Sequence, residues 1–119
     1  MSKTSSGRFW EKTAKAFLAQ KGYKILEQNY RTNFGEVDLI ATEEDCLVFI
    51  EVKARSSRTY GTAEEAVSER KLKTIARVGE YYRLSHPNLP VLERIDVVAI
   101  DFGSEDKVER LELIRNAGF

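Results

Sequence analysis

Asp38, Glu51 and Lys53 are charged residues inside stretches that otherwise read as apolar strands, Glu36-Val37-Asp38-Leu39-Ile40 and Val48-Phe49-Ile50-Glu51-Val52-Lys53. Strand side chains alternate, so Glu51 and Lys53 project from one face, one step apart. The polar turn Glu43-Glu44-Asp45 separates the two stretches and makes them an antiparallel pair. Pairing Leu39 with Ile50 sets Asp38 opposite Glu51, whereas a slip of one residue undoes the match. Two carboxylates at one point in a sheet repel each other and are costly to desolvate. A hard divalent cation removes that cost, because Mg²⁺ accepts one or two carboxylates and keeps several waters. A lysine beside such a metal orients an attacking water and offsets charge developing on a phosphate. A half-solvated strand with cross-strand ion pairs would account for Glu51 and Lys53 without any chemistry. Asp38 upstream, in an apolar strand at workable spacing, is what favours the metal site.

The rest of the chain supplies the elements that must hold these residues. Trp10, Ala14, Phe17 and Leu18 recur at helical spacing and predict a first helix over Arg8–Lys21, capped by Ser5 or Ser6 and ended at Gly22. An extended segment over Lys24–Arg31 and a turn at Asn33-Phe34-Gly35 lead into the strands Glu36–Thr42 and Leu47–Ala54. Val48, Ile50 and Val52 suggest one well-buried face for the latter. Leu72, Ile75, Ala76, Gly79 and Tyr82 mark a second helix, with Thr62–Glu65 and Ser68 as rival caps and Pro87 and Pro90 beyond its end. Glu93–Asp101 is a strongly apolar strand, and Val108–Ile114 alternates like a weaker edge strand. The order α-β-β-β-α-β-β is that of a mixed α/β domain with a central sheet.

The 119 residues suffice for one domain, and no apolar run approaches the roughly twenty residues of a spanning helix. Residues 1–10 show no apolar signal region, so a cytoplasmic protein is expected. One cysteine, Cys46, excludes an internal disulfide framework, and one histidine, His86, excludes His/Cys zinc clusters. Cys46 reads as a small apolar filler and His86 as a loop residue. Net charge is zero but unevenly spread. Residues 1–35 carry seven basic and two acidic side chains, residues 36–51 carry six acidic and no basic, and residues 52–77 carry seven basic and three acidic. An acidic centre between basic flanks suits a metal site that handles a polyanion, although ordinary solvated faces produce such blocks too.

Asp38, a strand-turn-strand spacer and Glu51-Val52-Lys53 together resemble the PD-(D/E)xK signature of restriction-endonuclease-like nucleases. More closely, Gly35–Ile40, Val48–Arg55 and Arg94–Ile100 resemble a small bacterial YraN-type family of uncharacterised proteins, itself similar to archaeal Holliday-junction resolvases. The resemblance covers about residues 7–101. It implies an α/β fold with a restriction-endonuclease-like αβββαβ core. It implies Asp38 and Glu51 as Mg²⁺ ligands (Mn²⁺ substituting), with the Val52 carbonyl as a candidate third. Lys53 corresponds to the catalytic lysine, and Glu11 matches the first-helix glutamate of the resolvase-like nucleases. Val37 stands where the signature has proline, which removes no ligand, and Glu36 adds a carboxylate whose role stays open.

Arg31, Arg55, Arg58 and Lys71 are the basic residues nearest these motifs, with Tyr30, Phe34 and Tyr60 interleaved as candidates for stacking. Taken one by one, each basic residue is equally well explained as solubilising surface charge. The expected function is a Mg²⁺-dependent DNA endonuclease for branched or structured DNA in recombination or repair, with a homodimer left open. Two alternatives remain beside it: a nucleic-acid-binding module on a nuclease scaffold without turnover, and a protein-interaction domain that binds neither metal nor DNA.

Overall fold

Trp10, Ala14 and Leu18 form the buried stripe of the first helix, α1 (Ser5–Gln20). In the computed structural model, which describes the backbone of residues 5–57 and 61–118 and side chains from residue 7, this stripe packs on one face of a five-stranded sheet. The helix stops where Gly22 takes φ +90°, which lets the Tyr23 N–H donate to the Leu18 carbonyl at 3.1 Å. The capping expected of Ser5 and Ser6 falls on side chains outside the described residues.

The strands lie in chain order across the sheet: β1 (Lys24–Thr32), β2 (Gly35–Glu43), β3 (Cys46–Ser56), β4 (Leu92–Phe102) and β5 (Val108–Ile114). All neighbours are antiparallel except β3 and β4, which run parallel and are joined by the crossover helix α2 (Glu69–Ser85). The α-β-β-β-α-β-β order read from the sequence is the order observed, with β5 at the edge beside the αβββαβ core that the resemblance implies. Leu39, Ala41, Val48, Ile50, Val98 and Ile100 face α1, whereas Val37, Ile40, Leu47, Phe49 and Ile95 meet Ile75, Val78 and Tyr82 of α2. Central β3 is thus covered on both sides, where the sequence suggested one buried face, as befits a strand between two helical layers. Gly79 allows α2 to lie close on β3: a Cβ there would stand 2.7 Å from the Phe49 ring.

The rival caps for α2 both operate, on different elements. Ser68 Oγ accepts from the Lys71 N–H at 3.0 Å and starts α2. Thr62 and Glu65 form a reciprocal box around the short 3₁₀ turn Glu64–Ala66, with the Thr62 N–H donating to Glu65 Oε1 at 3.1 Å and the Glu65 N–H to Thr62 Oγ1 at 3.4 Å.

One polar network lies within the sheet. Asp96 is fully buried and accepts from the Tyr23 hydroxyl at 2.7 Å, Arg94 Nε at 3.0 Å and the Asn116 N–H at 2.9 Å. Arg94 also reaches Glu43, which Arg115 grips through both oxygens at 2.6 and 2.9 Å. The Arg115 hydrogen bonds, joined by those of Arg94, hold the Glu43 carboxyl at about 2, against the opposing effect of its burial. Burial, then the hydrogen bond to Asp96, pushes the Tyr23 phenol up to about 12. With each of these oxygens bonded, the network ties the turn before β1, β2, β4 and the segment after β5 to one another.

Candidate functional site

The β2–β3 ladder runs from Glu43 opposite Cys46 to Leu39 opposite Ile50 and ends there. This is the register that brings Asp38 to the level of Glu51. At that point the strands part. Asp38 Oδ2 accepts the Val52 N–H at 2.9 Å, so a side chain takes the place of a ladder carbonyl.

An irregularity of β1 accompanies the parting. Glu27 and Tyr30 both reach Tyr82, through a 3.2 Å hydrogen bond from the Tyr82 hydroxyl and through an edge-to-face ring contact at 4.9 Å. Residues three apart in a regular strand point to opposite faces, so alternation is broken between them. Asn29, in that gap, has φ 54°. Opposite, Val37 and Ile40 are also three apart and both join the α2-side cluster. Asp38 sits at this paired irregularity, while Leu39 goes to the α1 side. The sequence analysis did not single out Asn29. Its signal was there, since asparagine is among the few residues other than glycine that enter the left-handed region readily.

Glu11, Asp38 and Glu51 are each buried, with exposures of 2%, 5% and 8%. Lys53, with Val52 and Ala54, lines a cavity of about 180 Å³ whose opposite wall is Gly7, Trp10 and Glu11 of α1. Glu11, named from the resemblance, thus points inward from α1 rather than into solvent. Among the described residues no three His, Cys, Asp or Glu side chains converge as a ready-made cage. Asp38 and Glu51 are hard oxygen donors in a pair, a donor set that suits Mg²⁺, which needs only one or two carboxylates. It does not suit zinc, whose structural sites are four-ligand and nitrogen- or sulfur-rich.

The basic residues named from sequence separate into different environments. Arg31 Nε donates to Glu36 Oε2 at 2.9 Å, so that arginine and the extra carboxylate of the motif engage each other across β1 and β2. Arg55 and Lys71 are half-buried. Arg58 and Tyr60 lie outside the described residues. Tyr30 packs on Tyr82, which leaves Phe34 as the described aromatic of that group with an exposed ring. His86 caps the end of α2 and stacks on Tyr82 at 3.9 Å, and Cys46 is buried in the α1-side cluster, its thiol pushed up by burial. No helix among the described residues is long and apolar enough to cross a membrane.

The family model described as uncharacterised protein family UPF0102 matches residues 10–100. A UPF0102 protein of Moorella thermoacetica is 40% identical over 117 residues, 98% of each chain. One from Desulforapulum autotrophicum is 42% identical over 111 residues, 93% of this chain and 90% of its own. Another from Alkaliphilus oremlandii is 50% identical over 80 residues, 67% of this chain and 68% of its own. The matched region spans α1 through most of β4 and contains Glu11, Asp38, Glu51 and Lys53.

Proposed function

The chain belongs to the uncharacterised protein family UPF0102, and from that premise we propose that it is a divalent-metal-dependent DNA endonuclease acting on branched or otherwise structured DNA. The observation that carries this reading is the end of the β2–β3 ladder, where Asp38 reaches across to the peptide between Glu51 and Lys53. Buried carboxylates are costly without a compensating charge, and two at the same level of a sheet suit a cation. Asp38 and Glu51 would hold Mg²⁺ or Mn²⁺, with the Val52 carbonyl a third oxygen. When bound, the metal supplies an activated water and neutralises charge on the phosphate.

The protein's own part is positional and electrostatic. The Val52 N–H fixes the position of the Asp38 carboxylate. Lys53, next to Val52 on β3, would orient a water and offset charge on the phosphoryl oxygens. Glu11, which lines the cavity from α1, would accept a hydrogen bond from the attacking water. The basic segments on either side of the acidic stretch supply the attraction for a polyanion.

The test is cleavage of labelled duplex, single-stranded, flap and four-way-junction DNA with Mg²⁺ and with Mn²⁺. Metal-dependent nicking that Asp38→Asn removes is the expected result. Binding without cutting under either metal would assign the protein to the binding-module class instead, and neither binding nor cutting to the interaction-domain class.

A further inference from the structure

The outward surface of α2 sorts its charges by flank. At 3.6 residues per turn, Arg70, Thr74, Arg77 and Tyr81 fall toward the β1–β2 turn, Lys73 lies on the crest, and Glu69 and Glu80 fall beyond it. The turn is seated against that flank. A Cβ on Gly35 would fall on Thr74 Cγ2, so the backbone of the turn touches the helix directly. The Arg77 guanidinium lies over the Phe34 ring at 4.6 Å, and Tyr81 meets Phe34 edge-on at 5.7 Å. Phe34 stays 37% exposed and Tyr81 48%.

Among the described residues no carboxylate pairs with Arg70, Lys73 or Arg77. Of the nearby acids, Glu36 is engaged by Arg31, and Glu69 and Glu80 stand on the far side of the crest. The surface therefore offers three cations and two adjoining rings held at a fixed angle. A ligand that uses both must carry regularly spaced negative charge and flat apolar faces. Single-stranded DNA has both, whereas a duplex hides the faces of its bases in its own stack.

We propose that the β1–β2 turn and the adjoining flank of α2 bind single-stranded DNA, with bases stacking on Phe34 and Tyr81 and phosphates meeting Arg70, Lys73 and Arg77. The proposal rests on the nuclease reading for the choice of DNA, and it narrows that reading to substrates carrying an unpaired segment. Arg77, already stacked on Phe34, extends the platform rather than competing with it.

The experiment is fluorescence anisotropy with a labelled oligothymidylate and a labelled blunt duplex of equal length, in EDTA so that neither is cut. Wild type should bind the single strand. Phe34→Ala and Tyr81→Ala should each weaken that binding about fivefold to a hundredfold, the range one base–aromatic stack supplies, with duplex affinity and thermal midpoint near wild type. Phe34→Trp should keep the affinity and Phe34→Leu should lose it, which separates stacking from mere apolar packing. Unchanged single-strand affinity in both alanine variants, or an equal loss on duplex, would overturn the proposal. A wild type that cuts duplex DNA but ignores the single strand would overturn it while leaving the nuclease reading intact. One that binds the single strand through Phe34 yet cuts nothing would do the reverse.

Discussion

Asp38 is hydrogen-bonded to the backbone of Val52, the residue between Glu51 and Lys53, and that 2.9 Å bond spans the point where β2 and β3 separate. That bond satisfies a strand N–H, and in the proposed nuclease the same carboxylate would also hold the metal. Substitutions can tell these apart. Asp38→Asn keeps an acceptor for the Val52 N–H and should fold with near-wild-type stability, yet lose binding of Mn²⁺ followed by calorimetry. Asp38→Ala should lose the metal and in addition about 1–3 kcal/mol of stability, the cost of leaving a buried donor unsatisfied. Glu51→Gln should match Asp38→Asn in the titration. Mn²⁺ binding unchanged in all three would remove the carboxylate pair from the site.

Lys53 carries the contrast between turnover and affinity. Lys53→Ala should lower single-turnover cleavage on the order of a hundred- to a thousand-fold, with much smaller change in DNA affinity. Arginine should rescue poorly, because a planar fork does not reproduce a compact ammonium beside a metal. Were Lys53 one phosphate contact among several, arginine would substitute well and affinity would fall instead.

Acid should destabilise the fold through Glu43 and Glu64. Hydrogen bonds from Arg115 and then Arg94 hold Glu43 at about 2, and those from Arg110 hold Glu64 at about 2, from an ordinary 4.5. A carboxyl depressed on folding stabilises fully above its unfolded value, and that contribution fades as pH falls through the folded one. The thermal midpoint followed by circular dichroism should therefore hold above about pH 4.5 and decline between 4.5 and 2. Glu43→Gln should start lower at neutral pH and decline less steeply across that window. A variant with the wild-type slope would show that the Arg94–Glu43–Arg115 bridge contributes nothing to stability.

Gly79→Ala tests the contact between α2 and β3. In an exposed helix the change would stabilise by about 1 kcal/mol through propensity. Here the new methyl would stand 2.7 Å from the Phe49 ring, and the expected result is a net loss of about 1–3 kcal/mol in urea unfolding. A gain would mean that the helix moves outward at little cost.

The order of elements and the β2–β3 register were legible because short-range chemistry encodes them. The polar turn at Glu43–Asp45 fixes which residues face one another, and Val108–Ile114 alternates as a strand should. Ambiguity at the start of α2 reflected two genuine caps rather than a choice between them. What sequence pattern left hidden depends on partners distant in the chain. The Tyr23–Asp96 hydrogen bond and the Glu43–Arg115 pair join residues that no local periodicity relates. Arg31 was named for its nearness to the motifs, and its ion pair with Glu36 across β1 and β2 depends on a strand register that its own position does not reveal. The break in alternation at Asn29 and Asp38 was hidden for another reason. It takes the packing of both strands to reveal it, and the one local cue was the asparagine itself.

The parallel pairing of β3 with β4 bears on the order in which the molecule assembles. β1, β2 and β3 are joined by tight turns and form a meander whose contacts are local, so closing it costs little chain entropy. β4 can join β3 only after α2 and its flanking loops have been traversed, a pairing of high contact order and slow formation. Asp38 and Glu51 both belong to the fast meander, whereas the Asp96 network that ties Tyr23 to β4 belongs to the late step. The strands that carry the two carboxylates therefore pair while one edge of β3 is still open. A cation bound at the proposed site would in that case act on the folding rate as well as on the finished protein.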